Sequence, residues 1–147
     1  MRVLIDTNIL LDYLIGREPY FEFADQVIAY CAAKKLNGFM AAHSIPNLFY
    51  ILRKDMTEED RRNVLFRLCK ILKVEGIDQH KILCALNKKD FSDFEDCLQT
   101  ECAIAIQADY IIIRNVKDFS QSRIPAITAE EFCTTYQKNL DNSLPSK

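Results

Sequence analysis

The chain has 147 residues, 49% of them hydrophobic, and its 19 basic and 21 acidic side chains give a formal charge of −2. This length suits one domain that buries about two thirds of its unfolded surface, with no need of a disulfide or structural metal. Its three glycines (16, 38 and 76) cannot form GxGxxG or GxxxxGK phosphate cradles, and its two histidines are too few for a three-histidine metal site.

Residues 2–5 read as a short strand buried on both faces, the habit of a parallel sheet. Thr7 or Asn8 can cap a helix that stops at Gly16. Pro19 opens a second helix, with Phe23, Val27, Ile28, Cys31 and Ala32 on one face, and Asn37-Gly38 is expected to end it. A second strand is expected at 39–42, followed by a helix capped by Ser44 and carrying Leu48, Ile51 and Leu52. Thr57-Glu58-Glu59-Asp60 resembles a capping box and opens the helix of Val64, Leu65, Leu68, Ile71 and Leu72. A weak strand is expected at 74–77 and a helix at 79–88. Ser92-Asp93-Phe94-Glu95 is a second capping box, opening a helix to about Ala108. Tyr110–Ile113 is the clearest strand, since four β-favouring residues run together. A short strand at 126–127 and a helix from Thr128 to about Gln137 follow, and the polar tail 138–147 is expected to be flexible.

Strands alternating with helices imply an α/β fold with a parallel sheet, as one domain over residues 1–137. The apolar run Val3–Ile5 ends at Asp6, too short for a signal peptide, and nothing approaches the ~20 apolar residues of a membrane span. The reading is therefore a soluble, cytoplasmic protein. Cysteines 31, 69, 84, 97, 102 and 133 form no CxxC pair, and five lie in apolar helical patterns, as reduced buried thiols do. The mild acid excess argues against non-specific adherence to nucleic acid. It is compatible with an enzyme that cuts nucleic acid through carboxylates.

Ligands of open parallel sheets bind beyond the carboxyl ends of the strands. Asp6 follows the first strand directly, and Arg114, Asn115 and Asp118 follow Tyr110–Ile113. Asp93 and Asp96 share a helix face, and Ser44 and Asn47 begin the helix after the second strand. Spacing alone does not make these groups converge. Where they do, repelling carboxylates call for a divalent cation such as Mg²⁺ or Mn²⁺, and the chemistry is phosphodiester hydrolysis. The plain alternatives are helix capping for Asp6 and Asn47, dipole-favoured first-turn acids at Asp93 and Asp96, and a solvated loop acid at Asp118. His43 reads as structural or surface, and Asp12 as part of a polar helix face.

The segments VLIDTNILLDYL, AAHSIPNLFYILRK, DFEDCLQTECAI and DYIIIRNVKDF resemble, in order, the four motifs of PIN-domain nucleases, including VapC-type toxins. The resemblance spans residues 2 to about 133. It implies a three-layer PIN-like fold, a central, mainly parallel sheet flanked by helices. It implies a Mg²⁺ or Mn²⁺ site of Asp6, Asp93, Asp96 and Asp118, in which Asp6, Asp96 and Asp118 are catalytic. Asn8, Asn47 and Asn115 would support the site. Arg114, directly after the strand that aims at the site, is by its placement the candidate to contact a phosphate. The implied substrate is RNA, and the implied partners are an antitoxin protein and a second copy of the chain. Two positions depart from the pattern: Asn47 stands where a glutamate is usual, and Ile113 where Thr or Ser is usual. A PIN-like module without activity, binding RNA or protein, is the second reading. A phosphatase or receiver domain is the third, although such proteins usually carry a second acid or a nucleophile where this chain has Asn8.

Overall fold

The computed structural model describes residues 1–89 and 93–145, and its five strands form one parallel sheet. They are β1 (Arg2–Ile5), β2 (Asn37–Ala41), β3 (Lys73–Glu75), β4 (Tyr110–Ile113) and β5 (Ala126–Thr128). Seven α-helices among the described residues connect and cover them: α1 (Thr7–Ile15), α2 (Phe21–Ala32), α3 (Ser44–Ile51), α4 (Glu58–Ile71), α5 (Gln79–Asn87), α6 (Phe94–Ala105) and α7 (Ala129–Ser143). The spatial order is β3-β2-β1-β4-β5, with every neighbouring pair parallel.

The apolar runs explain the centre of the sheet. Side chains alternate between faces along a strand, so an unbroken apolar run needs cover on both sides. Val3, Ile5, Met40 and Ile112 pack on one face with Leu10, Val27, Leu48, Leu68 and Phe132. Leu4, Ala41, Ile111 and Ile113 pack on the other with Cys102, Ala103, Ile106 and Phe119. The expected three layers follow. Cys31, Cys97, Cys102 and Cys133 are buried, Cys84 is half-buried and Cys69 is exposed, all as free thiols.

Several boundaries differ from the sequence reading. Asn37-Gly38 does not stop α2 but begins β2; the helix ends earlier, where Lys34 takes a left-handed conformation (φ 59°). Gly38 is needed for packing, since a Cβ there would lie 2.5 Å from both Cys31 Sγ and Leu72 Cδ2. The third strand starts at Lys73 and ends at Glu75, and α6 stops at Ala105. Ser44 does not cap α3, because it is already helical and its hydroxyl points into a buried network. Ser92 lies outside the described residues, and the cap of α6 is Asp93. The last helix continues past Gln137 to Ser143, so much of the expected flexible tail is helical. No glycine or proline interrupts it before Pro145, and Gln137 Nε2 donates to Asp141 Oδ1 at 3.1 Å one turn on. Thr128, Asp78 and Thr57 cap helices through their side chains, and Gly16 (φ 65°) ends α1 as expected.

Gly38→Ala is expected to destabilise the protein by about 1–3 kcal/mol, the usual cost of overpacking a full interior. Urea denaturation measures this, and an unchanged midpoint would contradict the close approach of Cys31 and Leu72.

Candidate active site

The strand order reverses direction of growth between β1 and β4, which opens a crevice at the carboxyl ends of the strands. The Asp6 N–H donates to Ile112 O at 3.0 Å and carries the β1–β4 ladder one step beyond Ile5. Asp6 is thereby fixed at this edge. It also caps α1, its Oδ2 accepting the Asn8 N–H at 3.2 Å. Capping and site are compatible, since a capping carboxylate keeps further lone pairs.

The N-terminus of α6 brings the other acids. Asp93 caps the helix, accepting the Asp96 N–H at 3.1 Å. Carboxylate oxygens of Asp93, Glu95 and Asp96 lie within 4.8 Å of one another. Asp96 is pushed up to about 7, first by burial, then by the charges of Asp93, Asp6, Glu95 and Asp118. Asp6, only 6% exposed, rises to about 6 through burial and the nearby Glu95, against the pull of the Asn8 N–H. The four expected acids therefore share one electrostatic neighbourhood. Asp118 is its exposed member, on a short 3₁₀ turn after β4. An all-oxygen carboxylate set of this kind fits a hard divalent cation, which would relieve the repulsion.

Beneath the acids lies a polar network. Thr7 Oγ1 and Ser44 Oγ are 2.7 Å apart, and Gln99 Nε2 donates to both, at 3.3 and 3.4 Å. Thr7 also donates to Glu95 Oε1 at 3.3 Å, so Ser44 is the donor to Thr7. His43 Nε2 lies 3.3 Å from the same Glu95 oxygen. This His43 hydrogen bond, opposed by burial, holds Glu95 below the usual carboxylate range.

Not every expected residue takes part. Asn8 and Asn115 are exposed, and Asn47 is exposed with no side-chain hydrogen bond among the described residues. The Arg114 guanidinium is bound by Asp12 and lies over the Tyr20 ring, 4.2 Å from its centroid. Asp12 is not on a solvated face: it is fully buried, and Arg17 stands 3.8 Å away. Sequence reading passed over Glu95, His43, Thr7 and Gln99 as site residues. Glu95 and Gln99 are four apart on α6, a same-face signal that was available; the pairing of His43 with an acid 52 positions away was not.

A model of the PIN domain matches residues 2–117, most of the chain. The chain belongs to the PIN domain family. This PIN chain is 25% identical over 136 residues to "Ribonuclease VapC1" of Aquifex aeolicus, covering 90% of itself and 93% of that protein. Its fold is similar to a toxin–antitoxin complex from Klebsiella pneumoniae (TM-score 0.66, 22% identity, 86% of this chain and 97% of that one). It is also similar to VapBC2 of Rickettsia felis bound to a promoter DNA fragment (TM-score 0.65, 15% identity, 87% and 98%). The PIN fold thus agrees with the reading from the four motifs. Among the described residues no helix is long and apolar enough to cross a membrane.

Two predictions follow from the charges of this PIN domain. Folded Asp6 and Asp96 hold protons up to about 6 and about 7, whereas unfolded carboxyls release them near 3.8. The folded state therefore binds more protons across that window, and the stabilisation is lost as pH rises through it. In chelator, the melting temperature of Asp96→Asn relative to wild type is expected to climb from pH 5 to 7.5; parallel curves would refute this. Arg114→Leu removes the guanidinium paired with the buried Asp12 and leaves it Arg17 at 3.8 Å, which should cost about 3 kcal/mol in urea denaturation.

Proposed function

We propose that this PIN chain is a metal-dependent endoribonuclease, the toxin of a toxin–antitoxin pair. The observation that carries the proposal is the gathering of Asp6, Asp93, Asp96 and Asp118 around one edge of a PIN sheet. The similarity to a protein named ribonuclease supports RNA as substrate. The similarity to toxin–antitoxin complexes supports an antitoxin partner. A homodimer and a cytoplasmic location belong to the same reading, as does a single domain, whose last helix runs on to Ser143.

Asp6, Asp93, Asp96 and Asp118 would hold Mg²⁺ or Mn²⁺. When bound, such an ion supplies charge neutralisation, activation of water and stabilisation of the leaving oxygen of a phosphodiester. The chain's own contribution is placement. The β1–β4 ladder fixes Asp6, the cap of α6 fixes Asp93 beside Asp96, and the turn after β4 presents Asp118. Asn8 and Asn115, both exposed and close in sequence to Asp6 and Asp118, would serve as neutral polar groups for substrate or water. Arg114 anchors the β4 end through its ion pair with Asp12.

A second reading, a PIN module that binds RNA or protein without cutting, is favoured by one feature: Asn47, a neutral and exposed residue, stands where the family has an acid. Metal-stripped protein incubated with RNA decides between them. Cleavage is expected only after Mn²⁺ or Mg²⁺ is restored, and Asp6→Asn and Asp96→Asn should each lower it by at least about 10–100-fold, the scale seen for loss of even an outer partner of a metal site. Cleavage by both variants at the wild-type rate would sink the assigned site. Intact RNA that is nonetheless retarded on a native gel would establish the second reading.

A further inference from the structure

The acidic edge departs from the family pattern twice, and the two departures complement each other. The acid expected from α3 is replaced by Asn47, exposed and without a side-chain hydrogen bond among the described residues. An additional acid, Glu95, stands inside the cluster, its oxygen within 4.8 Å of those of Asp93 and Asp96.

Glu95 does not behave as an ordinary first-turn glutamate. Glu58, in the first turn of α4, has a side chain 64% exposed and pairs with Arg62 on its own helix. Glu95 is instead held from two other elements. Thr7 of α1 donates to its Oε1 at 3.3 Å, and His43, the residue before α3, meets the same oxygen at 3.3 Å. Gln99, fully buried, donates to Thr7 and Ser44 and so braces the donors from below. Restraining a glutamate costs rotamer freedom. Here it also sets a negative charge near the buried Asp6, the opposite of what stability alone would favour. A shared cation reverses that balance. Thr7 and His43 both meet Oε1, and a carboxylate with two oxygens keeps lone pairs for a cation beside such contacts.

We infer that Glu95, and not Asn47, supplies the cation-binding carboxylate that the second motif lacks, with Thr7 and His43 fixing its orientation. The inference rests on the proposed metal-dependent reading. Functionally, the acid of the second motif comes from α6 instead of α3, and the set of acids is complete without residue 47.

Mn²⁺ binding to the full, metal-stripped chain tests this by isothermal titration calorimetry, with no RNA present. Wild type, Glu95→Gln, Asn47→Ala and Asp96→Asn are compared, each checked for its melting transition in chelator. Glu95→Gln is nearly isosteric and should weaken Mn²⁺ binding about ten-fold or more, close to Asp96→Asn. Asn47→Ala should stay within about two-fold of wild type. Glu95→Asp, measured alongside, keeps the charge but shortens the reach from His43, and should also bind more weakly. Wild-type affinity in Glu95→Gln, with Asp96→Asn impaired, would overturn the inference and leave the metal-site reading intact. An effect of Asn47→Ala as large as that of Glu95→Gln would overturn it too. A wild-type chain that takes up no Mn²⁺ would sink both.

Discussion

The hydrogen bond from the Asp6 N–H to Ile112 O ties the end of β1 to β4 at the point where the strand order reverses. Much of the site depends on it. It places a carboxylate at the mouth of the crevice while the preceding residues Val3, Leu4 and Ile5 are completely buried. The same residue then starts α1, so the chain turns from strand to helix within one step. Thr7, the next residue, is drawn under the edge and becomes the hub of the polar network. Sheet, helix cap and site are thus not separable: a shift of β1 would displace all three.

Collecting like charges at one edge opposes folding, and the surrounding structure offsets this locally. Helix N-termini favour negative charge, and the backbone N–H groups of Asn8 and Asp96 are donated to Asp6 and Asp93. The Thr7–Ser44–Gln99 cluster satisfies buried donors that apolar packing could not. These contacts soften the repulsion without abolishing it, and burial first, then the neighbouring charges, make Asp6 and Asp96 hold their protons unusually high. A site that is uncomfortable when empty is well suited to bind a cation, because the relief adds to the affinity. The Asp12–Arg114 pair does comparable work one layer away, holding the end of β4 from which Asn115 and Asp118 depart.

The elements were legible where local signals were strong. The apolar runs at 2–5 and 110–113, the caps at Thr57 and Thr128, and the left-handed Gly16 all stand as expected. Boundaries failed where packing overrode a local signal. Asn37-Gly38 looks like a stop, yet tight contact with Cys31 and Leu72 makes Gly38 a strand residue. Ser44 looks like a cap, yet burial beside Thr7 gives its hydroxyl another partner. Asp12 looks like one polar residue on a helix face, yet it is sealed beneath Arg114.

By itself, the sequence determined the alternation of strands and helices, the parallel sheet, the four motif segments and the acids Asp6, Asp93, Asp96 and Asp118 as candidates. The elements follow from periodicity, capping and residue type, which act over a few positions, and the motif segments with their acids follow from the resemblance to the PIN family. Only the tertiary structure decided which polar groups meet. Residues 7, 43, 44, 95 and 99 come from three separate segments, and their contacts arise when the sheet closes. Hydrogen bonds of that range leave no period in a single sequence, so the restrained Glu95 and the exposed Asn47 became visible only in three dimensions.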